Sequence, residues 1–345
     1  MIKRFDMKQA VTLKDIAIKV HRSITTVSRA LQGYSDVSLE TIDIVRKTAD
    51  EMQYVPNVFA QRLQKQSTDT IGFIAPDSSD GYAEPFFCEF LAGIGEAASA
   101  NNFDLLVAFC QETNQIPIYK KMIDEGKVDG FILNRTFIND QRVVYLQKRH
   151  FPFAVFGQVE NASNYSFIDE DGTLAMSLIV NHLVERGHKR IACLCPPLTF
   201  MFSSIRLNSL QTELGKHGLP LQKQYICTHC FNQKDGYTQT MKLLSLNKPP
   251  TAIVCFTDSI AFGAIEATKS RGITVGKDFA ITGFDDIPLS EFFTPSLTTI
   301  RQPIRKIGYE ATEILLSHLR DIKKGEKISP LQILLEPTLI LRESS

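Results

Sequence analysis

The sequence predicts a small all-α head at the N-terminus, followed by a larger α/β body with two doubly wound parallel-sheet subdomains. The chain of 345 residues is too long for one ordinary core. Residues 12–52 hold three short helical patterns, and from residue 70 onward short apolar runs alternate with amphipathic stretches. Such an alternation is typical of parallel sheets with helices on both faces.

The head begins with two short helices joined by a tight polar connection. Apolar residues recur at helical spacing in both of them, namely Leu13, Ile16, Ala17 and Val20, then Val27, Ala30 and Leu31. Thr12 and Ser23 stand where N-caps are expected, with Asp15 three residues after Thr12. A third helix, capped by Ser38, supplies the remaining apolar stripe. This arrangement predicts a helix-turn-helix domain, whose second helix enters the DNA major groove.

The outward face of the second helix carries hydrogen-bonding groups and one cation. If the apolar residues face inward, the outward set is Ile24, Thr25, Ser28, Arg29 and Gln32. Such side chains suit base edges and phosphates. An ordinary amphipathic hairpin with a solvated face would show the same pattern, so the helices alone leave both interpretations open.

The net charge of zero conceals an uneven distribution. Residues 1–66 carry 11 basic and 7 acidic side chains, against 27 and 31 in the remainder. The head is therefore positive and the body negative, as expected if only the head meets a polyanion.

Composition also limits the compartment and the chemistry. No apolar h-region follows the opening MIKRFDMKQ, and no apolar run approaches the length of a membrane span, which predicts a cytoplasmic protein. The seven cysteines are an odd number scattered through apolar segments, which favours reduced core residues. Cys227 and Cys230 form a CxxC without further ligands at matching spacing, so we expect a structural role and neither a metal nor a cofactor.

The body divides into predicted strands and helices. The strands are 71–75, 103–109, 130–133, 153–157, 190–195, 252–256 and 279–284, and the helices are near 86–101, 116–126, 140–149, 173–186, 204–217, 235–246 and 259–271. This is about twice the number of strands that one small sheet needs, so we expect two similar halves with a ligand cleft at the carboxyl ends of their strands. Residues 57–66 predict one short helix, too short to be stable alone.

A series of short motifs runs along the chain in a fixed order and spacing. They are TLKDIA, TTVSRAL, YVPNVFAQRL, TIGFIAPD, VDGFIL, HLVERGHKRIACL, TDSIAFGAIEATKSRGITVGKDFAITGFDD, PSLTTIRQP and LILRESS. Together they make the chain resemble bacterial transcription regulators of the LacI/GalR family over nearly its whole length. The resemblance implies a DNA-binding repressor with a periplasmic-binding-protein-like body and a small-molecule effector.

The resemblance also implies a domain division. We expect a helix-turn-helix head over 1–56, a hinge helix and linker over 57–69, and an effector-binding and dimerisation domain over 70–345. The two subdomains of the last are expected at about 70–164 with 300–327, and 165–299 with 328–345.

DNA-binding positions follow from the same resemblance. Thr25 and Arg29 match base-reading positions with Ile24 beside them, and Arg29 can present a bidentate fork to guanine. Leu63 matches a leucine that wedges into the minor groove, although it could instead pack the hinge helix onto its neighbour. The complete expected set is Thr12, Ser23, Ile24, Thr25, Thr26, Ser28, Arg29, Gln32, Asn57 and Leu63.

The turn of the head departs from the family pattern. His21 and Arg22 stand where the family usually has glycine and a small apolar residue. Glycine tolerates positive φ more readily than histidine does. Arg22 must either extend into solvent or reach a phosphate.

The resemblance places an effector, commonly a sugar or a nucleobase derivative, between the halves of the body. The matching positions are Phe86, Arg135, Gln158, Arg206, Thr257, Asp258 and Asp285. Residues 131–158 are similar to those of members that answer to carbohydrates, particularly glycosides, so we expect a sugar effector. Alternatively, Asp285 and Asp286 could cap the following turn, and Arg206 could be a surface ion-pair partner.

Two other classes of protein share parts of this sequence pattern. Residues 93–98 match G-x-G-x-x-A, with Glu112 after the next apolar run, but Gly93 lies inside a helical pattern and not directly after a strand. The sequence has no P-loop and no nucleophile elbow, so we do not expect an enzyme. A pure sugar-binding protein of periplasmic type would lack the basic head and carry a signal peptide.

Assembly follows from the DNA-binding hypothesis. One recognition helix covers only a half-site, and a palindromic operator mirrors a two-fold axis, which predicts a homodimer. The closing LILRESS carries no leucine heptad segment, so we expect no tetramerising tail.

Overall fold

The structure is a computed structural model that describes residues 11–55, 67–76, 85–110, 115–160 and 163–345. Contacts within the chain divide it into two compact units between Ser67 and Thr68. The predicted hinge helix, with Asn57 and Leu63, lies outside the described residues.

The head consists of three helices around one small core. They are α1 (Leu13–Lys19), α2 (Ile24–Gln32) and α3 (Leu39–Glu51). Thr12, Ser23 and Ser38 cap them as the sequence predicted, and Thr12 with Asp15 forms a complete capping box. The core is formed by Ile16, Ala17, Val27, Ala30, Ile42, Val45 and Ala49. These helices bury their apolar stripes against one another because none is long enough to be stable alone.

The turn between α1 and α2 keeps a left-handed residue although the sequence has no glycine there. His21 adopts a φ of 53°, the left-handed region that favours glycine. Arg22 is exposed, so its side chain extends into solvent and is not part of the core of the head. The fold therefore accepts both departures from the family pattern.

The first lobe of the body is built on a six-stranded sheet in the order β11-β5-β4-β3-β1-β2. Its strands are β1 (Thr70–Pro76), β2 (Asp104–Cys110), β3 (Gly130–Leu133), β4 (Phe153–Phe156), β5 (Phe167–Glu170) and β11 (Gln332–Leu335), and its helices are α4 (Pro85–Ala100), α5 (Ile116–Asp124), α6 (Gln141–Lys148) and α12 (Ile304–Lys324). All pairings in this sheet are parallel. Apolar clusters on the two faces bury the sheet, as expected for a doubly wound fold.

The second lobe repeats this plan in the order β12-β10-β9-β8-β6-β7. Its strands are β6 (Ile191–Leu194), β7 (Ile226–Cys227), β8 (Ala252–Cys255), β9 (Ala280–Asp285), β10 (Thr298–Arg301) and β12 (Thr338–Ile340), and its helices are α7 (Gly172–Glu185), α8 (Met201–Lys216), α9 (Gln233–Leu244), α10 (Asp258–Ser270) and α11 (Leu289–Phe292). Only β12 runs antiparallel to its neighbour among these pairings.

The chain crosses between the lobes three times, at positions that differ from the expected boundaries. The crossings follow Glu170, Arg301 and Leu335, whereas the sequence placed them near residues 164, 299 and 327. Each crossing comes later in the chain than expected because a short strand first pairs with the sheet that the chain is about to leave. Residues 167–170 pair with β4, and residues 298–301 pair with β9.

Gly93, the first glycine of the pattern that resembled a dinucleotide fingerprint, is a helix-packing residue. A Cβ atom on Gly93 would lie 2.0 Å from the carbonyl oxygen of Arg305, and one on Gly308 would lie 2.4 Å from that of Phe90. The two glycines therefore let α4 and α12 pack backbone against backbone. No described helix is long and apolar enough to cross a membrane.

Candidate effector pocket and DNA-binding head

The body holds a pocket at the carboxyl ends of its strands, between the two lobes. It encloses about 910 Å³, including its open mouth. Polar side chains reach it from the strand ends of both lobes, namely Asn134, Arg135, Asp169, Glu170, Thr257, Asp285 and Gln302. Open α/β sheets bind ligands at this edge because the loops that follow the strands converge there.

Arg206 lies at the base of this pocket and joins the lobes. Its Nη2 donates to Oε1 of Glu170 at 2.5 Å, and its Nη1 donates to the carbonyl oxygen of Phe256 at 2.9 Å. The guanidinium carbon lies 3.4 Å from the centroid of the Phe284 ring. Arg206 and Glu170 are both buried, so the surface ion pair considered from the sequence is wrong. A buried pair of this kind requires close matching of charge and hydrogen bonds.

Two further carboxylates line the pocket and are held by amides. Gln302 Nε2 donates to Oδ1 of Asp285 at 2.7 Å, and Gln158 Nε2 donates to Oδ2 of Asp169 at 3.2 Å. Burial, followed by the charge of neighbouring Glu170, raises the pKa of Asp169 well above its usual value. The pocket is thus rich in hydrogen-bond acceptors.

Three polar atoms of lining residues have no hydrogen-bond partner among the described residues. They are Asn134 Oδ1, Arg206 Nε and Gln302 Oε1, and each residue is at least nine-tenths buried. A buried polar group without a partner costs free energy, so such groups are rarely left alone unless something binds them. A ligand that reached all three atoms would have to supply both donors and an acceptor.

Aromatic rings form the apolar part of the pocket. Phe86 stacks against Phe156 with ring centroids 6.1 Å apart, and Phe202 and Phe231 lie on the side of the second lobe. The guanidinium carbon of Arg135 lies 4.8 Å from the Phe200 ring centroid. Such rings can stack on the apolar face of a sugar or on a heterocycle.

A pair of extended segments, residues 136–138 and 199–201, joins the lobes beside the pocket. Ile138 N donates to the carbonyl oxygen of Thr199 at 3.0 Å, and Met201 N donates to that of Thr136 at 2.8 Å. Phe137 and Phe200 pair within this strip, with ring centroids 5.2 Å apart. Thr136 of this strip lines the pocket, and the two backbone hydrogen bonds hold the lobes together beside it.

The structure brings together five of the seven residues expected in the pocket. Phe86, Arg135, Arg206, Thr257 and Asp285 line it. Gln158 is not among the lining residues and instead holds Asp169. Asp258 is also absent from the lining, because it is completely buried as an acceptor for Ile287 N, Ser290 Oγ and Thr299 Oγ1.

The turn after Asp285 and Asp286 is capped by Asp258, and not by either of those two residues. Oδ2 of Asp258 accepts from the Ile287 amide directly after Asp285 and Asp286. Asp286 accepts instead from Arg301 at 2.6 Å and Arg342 at 2.7 Å. Asp285 has a φ of 122°, a conformation that side-chain-bearing residues rarely adopt, and such strain is common at functional sites.

The head presents a polar face on α2. Thr25, Arg29 and Gln32 are exposed, and Ile24 is 49% exposed beside them. Ser23 and Thr26 share the helix cap, since Ser23 Oγ accepts from Thr26 N at 3.0 Å, and Ser28 is half-buried. The Thr12 hydroxyl donates to Asp15 Oδ2 at 2.7 Å.

The CxxC segment has the environment of core thiols. Burial raises the pKa of Cys227 to about 11 and that of Cys230 to about 12, which suppresses the thiolate that binds metals. No group of three or more His, Cys, Asp or Glu side chains within the described residues could hold a metal ion.

Comparison with known proteins assigns both parts. The family model for bacterial regulatory proteins of the lacI family matches residues 12–57, and that for the periplasmic binding protein-like domain matches residues 180–345. The HTH-type transcriptional repressor CytR of Escherichia coli (strain K12) is 32% identical over 337 residues, which cover 97% of this chain and 96% of that protein.

Solved structures give the same assignment. The lac repressor dimer bound to operator and the anti-inducer ONPF has a TM-score of 0.84 and 26% identity, covering 97% of this chain and 99% of that one. The transcriptional regulator CelR in complex with cellobiose has a TM-score of 0.75 and 25% identity, covering 97% and 100%. The fold and the site define a helix-turn-helix regulator with a periplasmic-binding-protein-like body. The chain belongs to the lacI family of bacterial regulatory proteins.

Membership of this family settles the broad function. The chain is a DNA-binding transcriptional regulator, and the relatives it matches are transcriptional repressors or regulators and not enzymes. The dinucleotide enzyme and the sugar-binding protein without a regulatory role, both weighed from the sequence, are therefore wrong.

Proposed function

We propose that the chain represses transcription as a homodimer and that a sugar, in particular a glycoside, bound in the pocket of the body controls its affinity for the operator. The observation that carries the effector proposal is the set of partnerless buried atoms on Asn134, Arg206 and Gln302. A ligand that satisfied them would donate hydrogen bonds to Asn134 Oδ1 and Gln302 Oε1 and accept one from Arg206 Nε.

A sugar meets this requirement because every hydroxyl group both donates and accepts. The carboxylates of Asp169, Glu170 and Asp285 accept from hydroxyls, and the guanidinium of Arg206 donates to them. Phe86 offers a ring for the apolar face of a pyranose. The solved structure of CelR with cellobiose adds support, because its fold matches this chain over nearly the whole length.

A homodimer is supported by the surface of the second lobe and by the symmetry of operators. Phe292 is 77% exposed and Leu289 is 49% exposed on the short helix α11. Exposed apolar groups of this size favour burial against another surface. A two-fold dimer places two recognition helices on a palindromic site, and the similar lac repressor was solved as a dimer bound to operator.

Within the head, we propose that α2 reads the operator. Thr25 and Arg29 contact bases beside Ile24 and Gln32, while Ser23, Thr26, Ser28 and Thr12 contact phosphates. Asn57 and Leu63 complete the DNA-binding set from the hinge. A regulator of chromosomal genes works where the DNA is, so we place the protein in the cytoplasm.

Thermal unfolding of the full-length protein with monosaccharides, disaccharides, aryl glycosides and nucleosides tests the effector proposal. A ligand that binds only the folded state raises the melting temperature by mass action, and we expect a sugar to do so. Asp285→Asn should lose this rise, whereas Asp278→Asn, which alters an exposed carboxylate of the same lobe, should keep it. A rise with nucleosides and with no sugar would contradict the proposed ligand class.

The regulatory part is tested by operator binding with and without the sugar that passes the thermal screen. We expect the sugar to change the affinity of the wild-type protein for its operator and to leave that of Asp285→Asn unchanged. Equal changes in both proteins would contradict the role of Asp285.

A further inference from the structure

The guanidinium of Arg29 is held on two sides by the loop that follows its own helix. Its Nη2 lies 2.5 Å from Oδ2 of Asp36, and its Cζ lies 5.3 Å from the centroid of the Tyr34 ring. Both partners lie within seven residues of Arg29, in the connection between α2 and α3. The side chain is therefore restrained before any DNA is bound.

Backbone hydrogen bonds fix this loop to the residue that it restrains. Gly33 ends α2 with a φ of 75°, and Tyr34 N then donates to the carbonyl oxygen of Arg29 at 3.1 Å. Val37 N donates to the carbonyl oxygen of Tyr34 at 3.3 Å, which closes a turn around Asp36. The positions of Tyr34 and Asp36 are thus set by the backbone of α2 itself.

The pair has little value for the stability of the head. Both side chains are about half exposed, at 46% for Arg29 and 49% for Asp36. An exposed ion pair of this kind changes a folding equilibrium by at most about fivefold. A carboxylate beside the reading face also repels DNA phosphates, so its presence there lowers non-specific affinity.

The chemistry of the guanidinium allows it to serve two partners. It presents five N–H donors in a rigid fork, and the contact with Asp36 engages one terminal nitrogen. The remaining donors suffice for N7 and O6 of one guanine. Fixing the fork in advance removes part of the rotamer entropy that a free arginine side chain loses on binding.

We propose that Asp36 is a specificity-determining residue that positions the guanidinium of Arg29 for a guanine in the operator and disfavours other DNA. The proposal rests on the base-reading role given to Arg29 under the proposed function. Asp36 acts through Arg29 and through its own charge, and Tyr34 supports the opposite side of the fork.

Full-length protein tests this with duplex DNA as the probe. A consensus operator is first selected from random-sequence duplexes with the wild-type protein. Dissociation constants are then measured for the consensus, for a duplex with its preferred guanine replaced, and for a random duplex. We expect Asp36→Asn to lower the ratio of specific to random-duplex affinity by about tenfold, part of the discrimination that one bidentate contact supplies.

Asp43→Asn is the matched control, since Asp43 is an exposed carboxylate on α3 without an ion pair among the described residues. It changes the charge of the head equally and should leave the ratio within about twofold. An Asp36→Asn protein with the same ratio as Asp43→Asn would overturn the proposal. A ratio above that of the wild-type protein would also overturn it, because Asp36 would then compete with the operator for Arg29.

The Arg29→Ala variant distinguishes the base-reading role of Arg29 from the positioning role of Asp36. If Arg29→Ala loses sequence preference while Asp36→Asn keeps it, the positioning role fails and the base-reading role stands. If Arg29→Ala keeps full sequence preference, both fail. If Arg29→Ala abolishes the preference, Asp36→Asn added to it should have no further effect on the ratio, since the two residues act as one unit.

Discussion

Glu170 and Arg206 form a buried ion pair that joins the two lobes of the body within the wall of the pocket. Glu170 ends a strand of the first sheet, and Arg206 lies in a helix of the second lobe. Any ligand that takes a hydrogen bond from Arg206 Nε therefore acts on a contact that spans both lobes. If the proposed effector binds here, we expect its binding and the relation between the lobes to be coupled through this pair.

We predict that Glu170→Ala lowers the free energy of unfolding by about 3 kcal/mol, because it leaves the Arg206 guanidinium buried without its counter-charge. Glu266→Ala is the comparison, since Glu266 forms an exposed ion pair with Lys269 whose loss costs less than about 1 kcal/mol. Urea denaturation of the two variants measures both values. Equal midpoints would show that the buried pair contributes no more than a surface one.

Two glycines of the same helix should respond in opposite directions to alanine. Gly93→Ala forces a Cβ atom to 2.0 Å from the Arg305 carbonyl oxygen, so the packing of Pro85–Ala100 against Ile304–Lys324 must open. Gly95 has open space around it, and Gly95→Ala should raise stability by up to about 1 kcal/mol through helix propensity. Thermal unfolding distinguishes the two. A stable Gly93→Ala protein would contradict the backbone contact.

The buried carboxylate of Asp258 should make stability depend on pH. Burial raises its pKa from the usual 3.8 to about 6, although hydrogen bonds from Ser290 and Thr299 oppose the rise. The folded state thus holds a proton that the unfolded chain releases, so the contribution of Asp258 is greatest below about pH 4 and falls up to about pH 6.

The matched variant for this prediction is Asp258→Asn, which cannot titrate. The stability of the wild type relative to the variant should fall by about 2 kcal/mol between pH 4 and pH 7. Urea denaturation across this range gives the difference, and other carboxylates cancel from it. A difference that stays constant with pH would mean that Asp258 does not change protonation in this window.

The exposed Cys88 should react with an alkylating reagent faster than the buried Cys230 does. Cys88 is exposed, whereas burial raises the pKa of Cys230 to about 12 and leaves almost no thiolate near pH 8. We expect iodoacetamide to modify Cys88 completely before Cys230 reacts in the native protein. Peptide mapping by mass spectrometry follows both sites, and unfolding in urea should equalise them. Early modification of native Cys230 would contradict its burial.

Much of the fold was predictable because its central strands are short apolar runs between amphipathic helices. The strand Phe167–Glu170 was missed, since its sequence FIDE ends in two carboxylates that make it look like a loop. The helix Ile304–Lys324 was not assigned, although buried residues such as Ile307, Ala311 and Leu315 recur at helical spacing.

The pocket residues were predictable where the family resemblance gave matching positions. Phe86, Arg135, Arg206, Thr257 and Asp285 were expected in this way and line the pocket. Asp169 and Glu170 were missed with their strand, and Gln302 because it follows β10, another strand that the apolar runs did not reveal. Asp258 is buried by contacts with Ile287, Ser290 and Thr299. These residues are about 30 to 40 positions away in the chain, so the local sequence around Asp258 could not predict its burial.

The three crossings between the lobes also set the order in which a newly made chain can fold. The described head is complete once residue 55 has been synthesised, whereas the first sheet still lacks the strand Gln332–Leu335 until nearly the end of translation. All residues of the described head are therefore synthesised long before those of either lobe are complete. Neither lobe can be removed or exchanged as one continuous stretch of gene.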